Sequence, residues 1–273
     1  MRQLFCGKYL LNLDRPLVMG IVNITPDSFS DGGKFLGRDA AIAHANRLIA
    51  EGADIIDLGG ESTRPGARAA TLQEELDRVM PVLEALVPSG VPVSIDTQKP
   101  EVMREAIRLG AAMINDVNAL QAEGAIAACA AGDVGICLMH KQGTPENMQQ
   151  NPRYTDVVGE VRAFLQQRIA ACEKAGIAAN RIAIDPGFGF GKSIEHNFTL
   201  LRELKSLAAT GYPVLAGFSR KSSLGAVTGR VPEDRLAASI AAALIAAQNG
   251  AAIVRVHDVK ETVDALKVWR AAS

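Results

Sequence analysis

Acidic side chains stand late in three apolar runs: Asp57 in DIIDLG (54–59), Asp96 in PVSID (92–96) and Asp185 in RIAID (181–185). Asn115 occupies a similar place in AAMINDV (111–117). Cations follow other runs: Arg64, Arg220 and Lys221, and Arg255 close to His257. A carboxylate accepts paired N–H groups, and arginine grips phosphate oxygens through two parallel donors. A site holding both kinds suits a substrate with a hydrogen-bonding heterocycle at one end and phosphates at the other.

The stretch DPGFGFGKS (185–193) raises a separate possibility, because its tail imitates a nucleotide-binding P-loop. That motif needs Gly, four free positions and then Gly-Lys-Ser/Thr. Counting back from Gly191 gives Pro186 instead of Gly. Proline has no N–H and a fixed φ, so it cannot begin a loop of phosphate-binding backbone donors. The motif is a near miss, and the stretch needs another explanation.

Eight apolar runs recur along the 273 residues: 17–22, 54–59, 92–96, 111–117, 134–140, 181–185, 213–218 and 251–256. They are nearly continuous rather than alternating, as parallel strands buried on both faces require. Helical patterns separate them, over about 39–51, 71–87, 99–109, 122–131, 156–175, 195–208, 234–248 and 259–271. Thr71 with Glu74 reads as a capping box, and Leu72, Leu76, Val79, Leu83 and Leu86 share one helical face. Pro81 should kink that helix or free a backbone carbonyl. Gly52, Gly110, Gly132, Gly176 and Gly250 mark helix ends. The pattern implies one α/β domain over 1–273, a (β/α)8 TIM barrel with residues 1–15 as a short N-terminal cap on its floor. A doubly wound sheet is the alternative. In a barrel the polar strand ends meet at one mouth, where such folds carry active sites.

Bulk properties narrow the function. The net charge is −1 and the pI near 6.4, which argues against a nucleic-acid partner. The Ala-rich run 236–254 is interrupted by Gln248, Asn249 and Gly250, so it reads as a buried helix leading into a strand and not as a membrane span. The N-terminus lacks the apolar core of a signal peptide. Cys6, Cys129, Cys137 and Cys172 show no metal spacing and read as reduced, buried thiols of a cytoplasmic protein.

Eight motifs occur together in order: NITPDSFSDGG (23–33), GGESTRPGA (59–67), SIDTQKPEV (94–102), INDV (114–117), LMHKQGTPENMQ (138–149), DPGFGFGKS (185–193), GFSRKSSLG (217–225) and RVHDV (255–259). In these motifs the chain closely resembles the dihydropteroate synthase family of the folate pathway, from about residue 4 to the C-terminus. The resemblance implies a homodimeric transferase that joins 6-hydroxymethyl-7,8-dihydropterin diphosphate to p-aminobenzoate, with Mg2+ as cofactor and sulfonamides as inhibitors. It implies a catalytic set of Lys221, Asp96, Asp185, Arg255 and His257. Asp96, Asn115, Met139, Asp185, Gly217 and Lys221 would hold the pterin, and Asn23, Arg64, Arg255 and His257 the diphosphate, with Asn23 also touching Mg2+. Phe29, Thr63, Pro65, Phe190 and Ser222 would form the p-aminobenzoate site, with Asp31 and Arg64 acting in loop closure. It further implies an SN1-like course without a covalent enzyme intermediate.

Other readings stand beside these. Lys221 alone could form a Schiff base. His140 has no second His nearby and reads as structural or loop-positioning. His44 and His196 read as surface residues, and Asp116 and Asp258 as supporting or capping groups. Asp57 stays open between orienting an arginine or loop backbone and touching the substrate. Two other functions share the pterin acceptors: a methyltetrahydrofolate-binding methyltransferase domain and a non-catalytic pterin-binding homologue.

Overall fold

A computed structural model describes residues 3–24, 34–62, 68–144, 148–149 and 151–272, with only the backbone of 34–36. Eight parallel strands close into a barrel: β3 (Leu17–Asn23), β4 (Ile55–Gly59), β5 (Val93–Asp96), β6 (Met113–Asp116), β7 (Gly135–Met139), β8 (Ile182–Asp185), β9 (Val214–Ala216) and β10 (Ala251–Val256). β10 pairs back onto β3 and completes the ring. The helices follow their strands: α1 (Lys34–Ala50), α2 (Leu72–Leu86), α3 (Pro100–Leu109), α4 (Ala125–Ala130), α5 (Val157–Lys174), α6 (Ile194–Arg202), α7 (Leu204–Ala208), α8 (Ser222–Thr228), α9 (Leu236–Gln248) and α10 (Val259–Ala272). This is the (β/α)8 barrel that the pattern implies, not a doubly wound sheet.

The strands lie between two apolar layers, so they read as unbroken apolar runs. Val18, Ile56, Ile95, Ile114, Ile136, Leu138, Ile184 and Val254 face the helices. Met19, Ile55, Met113, Cys137, Ala183, Leu215 and Ile253 fill the barrel. Alternate residues of a strand point to opposite faces, so the position two residues beyond each interior side chain is interior as well. Ile55 leads to Asp57, Met113 to Asn115, Cys137 to Met139, Ala183 to Asp185, Leu215 to Gly217 and Ile253 to Arg255. The barrel interior is thus apolar below and polar at the mouth.

Residues 3–12 form an antiparallel hairpin of β1 (Gln3–Cys6) and β2 (Tyr9–Asn12). Leu4, Cys6 and Leu13 join the interior cluster and cap the barrel floor. All four cysteines are free and buried. The capping box at Thr71 and Glu74 is present, and α2 runs through Pro81 as one element. Leu72 departs from the expected buried face and is 38 % exposed, since it is the first helical residue. Gly52, Gly110, Gly176 and Gly250 take the left-handed conformation that ends a helix, whereas Gly132 does not. The expected helix over 195–208 divides at Glu203 into α6 and α7. No helix among the described residues is long and apolar enough to cross a membrane.

The floor contact is close. A Cβ on Gly135 would stand 2.5 Å from Cys6 Sγ and 3.0 Å from the Phe5 carbonyl oxygen. Gly135→Ala should cost about 1–3 kcal/mol through overpacking, read as a lowered urea midpoint. Cys6→Ala in the same chain should recover part of that loss, because it removes the nearer clash. A midpoint unchanged by Gly135→Ala would show that the hairpin yields there.

Candidate active site

Arg255 organises the centre of the mouth. Its Nε donates to Asp57 Oδ2 at 2.6 Å and its Nη2 to Asp96 Oδ2 at 2.9 Å. Asn115 Nδ2 donates to the same Asp57 oxygen at 3.1 Å. Asp57 is fully buried, and its Oδ1 finds no hydrogen-bond partner among the described residues. Asp57 therefore orients Arg255 and Asn115 in this structure. Asn23 stands across Gly59 from Asp96: its Oδ1 lies 3.6 Å from the point a Gly59 Cβ would occupy, and Asp96 Oδ2 lies 4.0 Å from that point.

Asp185 is buried on the opposite wall, and its Oδ1 accepts from Gly187 N at 2.6 Å. A Cβ on Gly217 would be 4.0 Å from Asp185 Oδ2 and 3.9 Å from the Arg255 stem. Glycine at 217 therefore keeps free the space between a carboxylate and a guanidinium. Met139 is buried beside Asp185, its partner across the β7–β8 ladder. Lys221 Nζ lies 4.2 Å from the centroid of the Phe190 ring. Ser222 begins α8. His257 Nδ1 is 3.0 Å from Ser219 Oγ.

The electrostatics follow from burial. Desolvation pushes Asp185 up to about 6, against the Gly187 N–H and Lys221. It also raises Asp96, with the Arg255 charge opposing and Asp57 adding to the rise. Lys221 is pulled down to about 8, by burial and then by Arg255. His257 falls to about 3, by burial and the cations Arg255 and Arg220, so its imidazole is neutral at pH 7. The mouth offers carboxylate acceptors, an amide, a neutral imidazole donor or acceptor, and two cations. It can read the N–H edge of a flat heterocycle and hold an anion beside it.

Several polar strand-end residues do other work. Arg220 pairs with Asp258, Nε to Oδ2 at 3.1 Å and Nη2 to Oδ1 at 2.5 Å. Asp116 accepts from Asn118 N and Leu120 N, both at 2.7 Å, and so holds the turn in which Ala119 and Leu120 have φ of 51 and 53°. His44 is half-buried in α1, and burial lowers its pKa. His196, also half-buried, closes a capping box with Ser193 at the start of α6. Lys99 Nζ binds Glu61 and the fully buried Glu75, both at 2.6 Å. The sequence reading had no signal for that link.

The Lys192-Ser193 tail is not idle. Ser193 is the N-cap of α6. Lys192 is 2 % exposed, and its Nζ meets the carbonyls of His140, Gly187 and Phe190 and the His140 ring. Burial pulls it down to about 7. Phe29, Asp31, Thr63, Arg64 and Pro65 lie outside the described residues.

Strand ends that gather acceptors and cations in a barrel mouth define the chain as a barrel with a small-molecule site. The pterin binding enzyme family model matches residues 19–257. The chain is 55 % identical to the dihydropteroate synthase of Neisseria meningitidis serogroup C, over 97 % of this chain and 95 % of that one. The Xanthomonas albilineans dihydropteroate synthase, solved with 4-aminobenzoic acid, superposes with a TM-score of 0.94 at 56 % identity, covering 99 % of this chain and 98 % of that one. The Burkholderia cenocepacia dihydropteroate synthase, complexed with 7,8-dihydropteroate, does so at 0.91 and 54 %, covering 99 % and 96 %. This chain belongs to the pterin binding enzyme family.

Two outcomes follow from the charges. Asp57→Ala should leave Arg255 buried with one carboxylate and cost about 3–5 kcal/mol, measured by denaturant unfolding. A loss below about 1 kcal/mol would mean that Arg255 re-pairs easily. Asp185→Asn keeps an acceptor for Gly187 N and removes the charge. The folded pKa of Asp185 is raised to about 6 from 3.8. Between those values the folded chain holds a proton that the unfolded chain has lost, so this group's contribution to stability falls as pH rises through the window. Thermal melts should therefore show Asp185→Asn above wild type at pH 8, with the gap closing towards pH 4. A variant less stable than wild type at pH 8 would contradict this.

Proposed function

We propose that this chain is a dihydropteroate synthase, condensing 6-hydroxymethyl-7,8-dihydropterin diphosphate with p-aminobenzoate to give 7,8-dihydropteroate and pyrophosphate. One observation carries the reading: Asp96, Asn115, Asp185, Lys221 and Arg255 meet in one mouth of a chain that matches dihydropteroate synthases over nearly its whole length. That match also favours a synthase over a methyltransferase domain or a non-catalytic homologue.

Asp185 accepts the amino and ring N–H groups of the pterin, while Asp96 and Asn115 complete its edge. Gly217 leaves room for the ring, Met139 forms a wall, and Lys221 approaches from the other side. Asn23, Arg255 and His257 hold the diphosphate, with Arg64 joining them. The bond between the pterin methylene and the diphosphate oxygen breaks, and its electron pair leaves with the diphosphate. The cation that remains is spread over an electron-rich dihydropterin and faces two carboxylates. The weakly nucleophilic amine of p-aminobenzoate then adds and loses its proton. Phe190, Phe29, Thr63 and Pro65 line the second substrate, and the first turn of α8 at Ser222 takes its carboxylate. Asp31 and Arg64, which lie outside the described residues, belong to this reading as groups that help keep water from the cation.

The donor set is compatible with Mg2+ carried by the diphosphate. No group of three or more His, Cys, Asp or Glu among the described residues could hold a metal ion, and the amide of Asn23 offers one oxygen. Mg2+ usually keeps several waters and is held through one or two carboxylates with substrate phosphates, so an amide oxygen would be a supplementary contact. When bound it would neutralise charge on the leaving group. A homodimer and a cytoplasmic location belong to the same reading. Exposed Val227, Ile245 and Val268 on α8, α9 and α10 support the first, and four free thiols the second. Sulfonamides, as mimics of p-aminobenzoate, should compete with it.

Purified protein with both substrates and Mg2+ should form pyrophosphate and dihydropteroate in equal amounts, competitively with a sulfonamide. Asp185→Ala should lose both products by at least about a hundredfold, as for removal of a charged acceptor left unreplaced. Pyrophosphate without dihydropteroate from wild type would mean a site that forms the pterin cation but cannot use p-aminobenzoate. Neither product, with pterin still bound, would overturn the synthase reading.

A further inference from the structure

The DPGFGFGKS stretch holds a cation that the reaction above does not use. Lys192 Nζ lies 2.9 Å from Gly187 O, 3.0 Å from Phe190 O, 3.3 Å from His140 O and 3.0 Å from His140 Nδ1. A phosphate-binding loop turns backbone N–H groups inward around an anion. Here the polarity is reversed, with backbone carbonyls turned inward around the chain's own ammonium. Gly187, Gly189 and Gly191 make that path possible, with φ of 70, 80 and 65°. A Cβ on Gly187 would fall 1.9 Å from His140 O, and one on Gly191 2.2 Å from Gln142 O. The two loops touch backbone to backbone, and the ammonium is the group that both sets of carbonyls share.

The charge on Lys192 sets the partner's state. A charged ammonium has three donors and no acceptor, so the His140 nitrogen facing it accepts and carries no proton. The imidazole is then neutral with its hydrogen on Nε2. Its ring is held edge-on by Phe164 at 5.0 Å between centroids.

What Lys192 grips is what the pterin site needs in place. Gly187, whose carbonyl accepts from Lys192, donates its N–H to the Asp185 carboxylate. Phe190, whose carbonyl also accepts from Lys192, carries the ring beneath Lys221 Nζ. His140, the third partner, donates its N–H to Asp185 O at 3.0 Å. We propose that Lys192, with His140 as its acceptor, is a positioning residue that sets the Asp185 carboxylate and the Phe190 ring together. The proposal rests on the reading of Asp185 as the pterin acceptor. It assigns the lysine a role through its donors, whereas a packing role would need only its volume.

The test measures the Kd for 6-hydroxymethylpterin and the kcat and KM for both substrates. Lys192→Met keeps the volume and removes the donors. In folded protein it should raise the pterin Kd and both KM values about tenfold or more, the worth of a charge-assisted hydrogen bond, with a smaller change in kcat. Lys192→Ala should be rescued by n-propylammonium, which replaces the missing atoms, and not by n-propanol. His140→Asn should keep pterin affinity by restoring an acceptor, while His140→Leu should lose it. A folded Lys192→Met with a pterin Kd within about twofold of wild type would overturn the proposal, as would equal rescue by the alcohol. If Lys192→Met does not fold, equal affinity in the two His140 variants overturns it. A wild type that neither binds pterin nor forms product overturns the functional reading itself, so the two failures are distinguishable.

Discussion

The pairing of Arg255 with Asp57 and Asp96 is the contact on which the mouth depends. Each partner alone would be an uncompensated charge inside a barrel, a burial that costs several kcal/mol per ion. Together they share two charge-assisted hydrogen bonds, while Arg255 stays 19 % exposed and Asp96 15 % exposed. The triad spans three strands, since β4, β5 and β10 supply one member each. It is therefore a tertiary device, available only once the barrel has closed. Asn115 extends it to β6 by bonding to the same Asp57 oxygen. Such a cluster adds little to stability by itself, and its use lies in holding groups at fixed positions for a ligand.

The glycine loop solves a different problem. A carboxylate at the end of β8 needs a donor that holds it without closing it off. Gly187 supplies that donor through its backbone, which leaves the second carboxylate oxygen facing the space beside Gly217. Holding Gly187 there turns carbonyls into the protein, where a buried acceptor without a donor is costly. Lys192 meets them. Asn197 finishes the arrangement, accepting from Gly189 N at 2.7 Å and donating to Ser193 O at 2.8 Å. The loop's buried polar groups are thus met by Lys192 and Asn197.

Much of this was legible in the sequence, for identifiable reasons. The barrel follows from eight apolar runs separated by helical patterns, because burial on both faces leaves that signature. The mouth follows from polar residues late in those runs, and a period of two puts Asp57, Asn115, Asp185 and Arg255 on the same interior side as the apolar residues below them. Pairings between distant strands were not legible. Arg255 and Asp57 are separated by 198 positions, and no local pattern says which carboxylate an arginine will choose. Arg220 shows the same limit: it follows a strand as Lys221 does, yet its partner is Asp258. The place of Lys192 was not legible either, because a motif comparison asks which donors face a phosphate, whereas this loop presents acceptors to a lysine.

The two walls of the mouth are unequal. Arg255 is neutralised by carboxylates within the chain. Lys221 has no carboxylate within hydrogen-bond distance among the described residues: it faces an aromatic ring, and burial draws it down to about 8 although Asp185 and Asp96 favour its charge. Asp185 stands in a mirror condition, pushed up to about 6 with one backbone donor. Both groups carry a desolvation cost that the chain alone does not offset. A ligand that brings N–H groups to Asp185 and an acceptor to Lys221 relieves both at once. At these two groups affinity then arises from a desolvation cost already present in the fold, which is the thermodynamic meaning of a preorganised site. His257 stays neutral there because burial and the neighbouring Arg255, Arg220 and Lys221 all oppose a further positive charge.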